Sequence, residues 1–167
     1  MEGPVVLIIM GSDSDLSVME EAGKILTEFA VPYEMRISSA HRAPHKTAKL
    51  AATAAGRGVR VIIAAAGMAA HLAGVVAAET VLPVIGVPIG GGALSGMDSL
   101  YSMVQMPGGI PVATMAIGRA GAKNAALLAV QILALGDERL TASLLEHREK
   151  MLREVEEKDS NLLAGVS

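Results

Sequence analysis

The chain has 167 residues, with 14 basic and 17 acidic side chains giving a net charge of −3, and it has no cysteine. Charge scattered this thinly offers no basic track for a nucleic-acid backbone, and the lack of thiols excludes disulfides, thiolate metal sites and a cysteine nucleophile. Apolar residues make up 51% of the sequence but aromatics only 2%, so a core of this size must be built from Ala, Val, Ile, Leu and Met.

Val5 to Met10 is a continuous apolar, β-rich run, the pattern of a parallel strand covered on both faces. It is too short for a signal-peptide core and turns polar at once. Leu16 to Ala30 then places Leu16, Met19, Gly23, Leu26 and Ala30 on one helical face, and Pro32 stops it. The cycle repeats, with a strand over Tyr33 to Ser38, a helix over Pro44 to Gly56, a strand over Val59 to Ala66 and a helix over Ala69 to Glu79. A strand at Val84 to Val87, a short helix around Asp98 to Gln105 and a strand near Val112 to Ile117 follow.

Gly121 to Leu135 reads as a helix with little polar surface, one that a neighbouring subunit or a central core would cover. Leu140 to Lys158 differs, carrying Glu146 and Lys150, Glu149 and Arg153, and Glu154 and Lys158 at i,i+4 spacing. It reads as an extra C-terminal helix, solvated or laid on a neighbour. Alternating strands and helices predict an α/β fold, a flavodoxin-like three-layer αβα sandwich on a parallel sheet. We expect one catalytic domain over residues 1–160, with 161–167 frayed. No apolar run reaches membrane-spanning length, so no membrane is expected, and the cytoplasm is the default compartment.

In open α/β sheets, ligands sit beyond the carboxyl ends of the strands where strand order reverses. Four such ends carry polar or glycine-rich chemistry. Gly11-Ser12-Asp13-Ser14-Asp15 leaves a buried strand for a helix, and its free N–H groups suit an anion, although Ser14 or Asp15 could equally cap the helix. Arg42 after the second strand could fork onto phosphate oxygens or pair with Asp13 or Asp15. His71 stands alone among Ala64 to Ala70, and is either a titrating pocket residue or a structural one. His45 and His147 read as surface residues. Gly90-Gly91-Gly92 permits close backbone approach or simple mobility, and spacing alone does not decide what Asp98 to Ser102 and Gln105 to Pro107 reach.

Other chemistries are excluded by what is missing. No G-x-x-x-x-G-K-[ST] or G-x-G-x-x-G motif follows the first strand. The third strand ends in Ala66-Gly67 where a phosphate receiver needs Asp. A flavin-binding module is a weaker alternative, with only Phe29, Tyr33 and Tyr101 to stack on the ring.

Taken together, Gly11 to Asp15, Ser39-Ala40-His41-Arg42, Ala69-Ala70-His71-Leu72, Pro83 to Pro88 and Asp98 to Pro107 resemble the N5-carboxyaminoimidazole ribonucleotide mutases, in order over about Val5 to Leu135. The resemblance implies a purine-biosynthetic isomerase, a homo-octamer that acts on a small ribonucleotide without metal or other cofactor. It implies that Ser12, Ser14 and Arg42 bind phosphate, Asp15 binds the ribose hydroxyls, and His41 lines the site. It makes His71 the general acid–base, has Ser39 and Leu72 flank the substrate, and gives Ala66 and Gly67 the wall beside the imidazole ring.

Ala65, Met68 and Ala73 stand where the family pattern has Gly, Gly and Pro, and Gly90 to Gly92 replaces a commoner polar loop. A sister group that carboxylates aminoimidazole ribonucleotide directly carries Arg-Ser-Asn near the position of His71; its absence favours the mutase. The small-residue lining is expected to form a dry, closed chamber that retains carbon dioxide.

Overall fold

The structure is a computed structural model and describes residues 3–165. Five parallel strands, β1 (Val6–Met10), β2 (Tyr33–Ile37), β3 (Val61–Gly67), β4 (Val84–Ile89) and β5 (Ala113–Thr114), form one sheet in the order β2-β1-β3-β4-β5. This is the flavodoxin-like order, and it reverses direction between β1 and β3. The unbroken apolar runs behave as predicted: every residue of β1 and β4, and β3 from Val61 to Ala66, is buried.

The helices are α1 (Leu16–Glu28), α2 (Pro44–Ala52), α3 (Leu72–Ala78), α4 (Met97–Val104), α5 (Arg119–Ala134) and α6 (Glu138–Gly165). Side chains alternate across a strand, and Leu7, Ile9, Ile62 and Ala64 share one core with Ala51 of α2, Leu72 and Val76 of α3 and Met103 of α4. On the opposite layer Glu21 of α1 reaches Lys123 of α5 at 3.3 Å. Close packing depends on small residues. A Cβ on Gly86 of β4 would lie 3.1 Å from Met103 Sδ and 3.6 Å from Ala73 Cβ, so Gly86 lets α3 and α4 approach the sheet.

Several boundaries differ from the sequence reading. The helix expected from Ala69 begins only at Leu72, because Met68 takes φ +56° and the His71 N–H turns back to the Ala69 carbonyl at 2.9 Å. The second helix ends at Ala52, and a 3-10 turn over Ala55–Arg57 leads to Gly58 at φ +93°. β5 has two residues instead of six. The chain divides into two compact units, up to Val130 and from Gln131 onward. In the second, α6 has no buried residue and closes its Glu149–Arg153 pair at 3.7 Å. Residues 161–165, read as frayed from sequence, are helical here, and 166 and 167 lie outside the described residues. Among the described residues no helix is long and apolar enough to cross a membrane.

Helix α1 ends in a Schellman closure, with Val31 N–H on the Leu26 carbonyl at 2.8 Å and Ala30 N–H on that of Thr27 at 3.0 Å. The left-handed position, φ +53°, is filled by Ala30, where a Cβ crowds the following carbonyl and glycine does not. Ala30→Gly is expected to stabilise the protein by about 1 kcal/mol, raising Tm by about 2–4 °C in thermal unfolding. A lowered Tm would show that the residue is not held in this conformation.

Candidate active site

The strand-order reversal sets the location. Beyond the carboxyl ends of β1, β2, β3 and β4 lies a cavity of roughly 800 Å³. All ten residues picked from the sequence line it: Ser12, Ser14, Asp15, Ser39, His41, Arg42, Ala66, Gly67, His71 and Leu72. So do Met68, Ile89 and Gly90 to Gly92. The β1 and β3 ends are held together where Gly11 N–H meets the Ala65 carbonyl at 3.0 Å.

The first loop is a capping box. Ser12 Oγ accepts the Ser14 N–H at 3.3 Å, and the Asp15 carboxylate reaches back to the Ser12 N–H at 3.1 Å. The box closes a 3-10 turn over Asp13–Asp15 that leads into α1, whose N-cap is Asp15 without a side-chain capping bond, so Ser14 does not cap the helix. The Ser12 hydroxyl bond is the main cause holding the Asp13 carboxyl below its ordinary range, with the Arg42 charge a smaller one. Arg42 makes no ion pair among the described residues, so the salt bridge considered above does not form. Its backbone is positioned instead, its N–H resting on Ser39 Oγ at 3.2 Å.

Asp15 is buried, and that burial raises its pKa despite the opposing hydrogen bonds from Ser12 and Ser14. Folding therefore favours the protonated form. Asp15 contributes stability below the unfolded carboxylate value and loses it as pH rises through the raised folded value, so at neutral pH the ionised group opposes folding. Asp15→Asn keeps an acceptor for Ser12 N–H without the charge, and is expected to raise Tm by about 1–3 °C at neutral pH. The difference from wild type should vanish in acid, where both side chains are neutral; a calorimetric pH series in which it grows there would refute the assignment.

In the same cavity His41 Nε2 lies 2.8 Å from His71 Nδ1, with the rings edge to face and their centroids 5.0 Å apart. One ring must offer a lone pair and the other an N–H, so the pair holds at most one net positive charge while the bond stands. Sequence alone treated the two histidines separately. They are 30 positions apart, and only the sheet order brings β2 and β3 to either side of β1.

Two further residues were not legible. Ile89 joins the wall because it pairs with Gly67 at the end of β4. Ser99, buried on α4, places its hydroxyl 3.0 Å from the Ile89 carbonyl and 2.8 Å from that of Gly96, tying down both stems of the glycine loop. Ser99 lies in the Asp98 to Ser102 segment, whose spacing in the sequence does not decide what it reaches. The wall of Ala66, Gly67, Ala69 and Ile89 forms no closed chamber, because both imidazoles are exposed at the mouth of the cavity in the single chain. Alanine and glycine supply a floor but nothing long enough to reach across. None of Phe29, Tyr33 and Tyr101 lines the cavity, so nothing aromatic is placed to stack on a flavin.

Comparison with known proteins completes the picture. The family model described as AIR carboxylase matches residues 5–154. The chain belongs to the AIR carboxylase family. Within that family it is 58% identical to the N5-carboxyaminoimidazole ribonucleotide mutase of Pyrococcus horikoshii over 161 residues, 96% of this chain and 90% of that one. It is 56% identical to the enzyme of the same name from Bacillus subtilis over 160 residues, 96% and 99% of the two chains. The crystal structure of Treponema denticola PurE superposes with a TM-score of 0.84 at 32% identity, covering 95% of this chain and 98% of that one. AIR carboxylase relatives thus share both the sequence and the sheet that builds the cleft.

Proposed function

We propose that this protein is an N5-carboxyaminoimidazole ribonucleotide mutase of purine biosynthesis, an isomerase that moves the substrate carboxylate from nitrogen to carbon. The observation that carries the reading is one cavity lined both by a set of anion-binding side chains, Ser12, Ser14 and Arg42, and by a bonded imidazole pair, His41 and His71, among small residues such as Ala66, Gly67 and Ala69. Phosphate beside Ser12, Ser14 and Arg42 meets hydroxyls and a permanently charged guanidinium. Asp15 takes the ribose hydroxyls, Ser39 and Leu72 flank the substrate, and Ala66 and Gly67 face the ring.

In the reaction the bond between nitrogen and carboxylate breaks as His71 gives the nitrogen a proton, releasing carbon dioxide beside the aminoimidazole. C4 attacks the carbon dioxide, and neutral His71 takes the C4 proton as aromaticity returns. One proton goes in and one comes out, so the step is an isomerisation with no electrons gained or lost. His41, bonded to His71 Nδ1, sets which ring nitrogen carries the proton.

The direct test supplies N5-carboxyaminoimidazole ribonucleotide without ATP or bicarbonate and follows the C4-carboxylated isomer. No isomer would end the reading, and product only with aminoimidazole ribonucleotide and dissolved carbon dioxide would assign direct carboxylation. Arg42→Ala is expected to raise KM about 10–100-fold with a smaller change in kcat, since it removes a charge-assisted anchor that takes no part in the bond changes. An unchanged KM would move the phosphate elsewhere.

We further read the protein as a cytoplasmic homo-octamer. Met97, Tyr101 and Val104 form an exposed apolar stripe on α4, and Leu145, Leu152, Val155 and Leu162 are exposed on α6. On α5 Leu127 and Leu128 are only half-buried. Apolar surface of this extent marks contact with another chain, and the subunit number comes from the family resemblance. Light scattering at the mass of a single chain would overturn it.

A further inference from the structure

Met68 is held at φ +56° at the end of β3, a left-handed conformation that costs a non-glycine residue energy. The fold gets no packing in return. Met68 is 66% exposed and is absent from the hydrophobic core, yet it lines the cavity that holds the two imidazoles, alongside Gly67, Ala69 and Ile89. A strained backbone that positions an exposed, flexible thioether at the mouth of a cleft is an arrangement that stability alone does not explain.

We infer that Met68 is the roof of the carbon dioxide end of the cleft, a retention residue that folds over the alanine and glycine wall once substrate is bound. The inference rests on the mutase reading. The cavity's small residues leave the side with the imidazoles open. Of the large apolar lining residues, Leu72 and Ile89 are buried, only 2% and 7% exposed, and Met68, at 66%, is the exposed one, three residues before His71. Its unbranched chain has the reach to cover the carbon dioxide freed from nitrogen, and it lacks polar atoms that would draw water in. Met68 takes no part in proton transfer. It governs how often the carbon dioxide is recaptured by C4 before it is lost to solvent.

The test compares wild type, Met68→Gly and Met68→Leu in buffer containing carbon-13 bicarbonate equilibrated with carbon dioxide. The labelled fraction of the product is read by mass spectrometry at early turnover. Wild type and Met68→Leu are expected to return mostly unlabelled product, and Met68→Gly to carry a several-fold higher labelled fraction together with a Tm raised by a few degrees as the backbone strain is released. Equal labelling in all three proteins overturns the inference. So does a changed oligomer mass with unchanged labelling, which would assign Met68 to a subunit contact. If wild type forms no isomer at all, the mutase reading itself falls and takes this inference with it.

Discussion

His71→Asn is expected to lower kcat by about 10²–10⁴-fold, the range proton transfer by a placed side chain usually supplies, while KM changes little. The asparagine amide can still hydrogen-bond to His41 Nε2, which sits 2.8 Å from the native Nδ1. It cannot titrate. The anchor at Ser12, Ser14 and Arg42 lies on other loops, so binding should survive, and steady-state kinetics with a direct binding measurement separates the two effects. The matching His41→Asn variant locates the acid–base within the pair. Equal losses in both variants mean the two rings act as one unit, whereas near-normal turnover in His71→Asn with loss confined to His41→Asn would transfer the role to His41.

Gly121→Ala is expected to destabilise the protein by about 3 kcal/mol or more, lowering Tm by about 6–12 °C. Within a helix this change ordinarily stabilises by about 1 kcal/mol, so the sign itself is the test. A Cβ at Gly121 would stand 1.6 Å from the Ala116 carbonyl oxygen and 2.7 Å from its carbon. That neighbour is backbone and cannot rotate away. The loop is pinned on either side, by Met115 N–H on the Gly86 carbonyl and Gly118 N–H on that of Pro88, both at 2.8 Å. Moving it pulls on β4 and hence on the Ile89 end of the cleft. Gly136, with nothing within 4 Å of an added Cβ, is the control, and its alanine variant should stay within about 0.5 kcal/mol of wild type. An unchanged Tm for Gly121→Ala would mean that α5 does not start against this loop.

Much of this molecule is legible without coordinates. Unbroken apolar runs such as Val6 to Met10 become buried parallel strands because a strand covered on both faces has no polar positions to alternate. The parallel crossovers then demand helices between them, and the loops at the strand ends gather into a cleft. That logic, with the family resemblance, selected all ten lining residues named from sequence. Where elements stop was less legible. Ala69 and Ala70 have good helix propensity, yet α3 waits for Leu72, since the chain first turns through a left-handed Met68. Propensity is a local average and does not register a neighbour's backbone.

The layering and the strand ends that carry chemistry are readable from residue order, because they follow from periodicity and from hydrogen bonding within short segments. The tertiary structure alone decided that His41 and His71 share a bond across 30 residues, that Ser99 ties down the glycine loop, and that Gly121 tolerates no side chain. The histidine bond joins atoms 30 positions apart, whereas Ser99 and Gly121 meet backbone three to ten positions away that the strand and loop packing brings against them. Such distances are set only when the whole sheet closes and the strands on either side of β1 come into register.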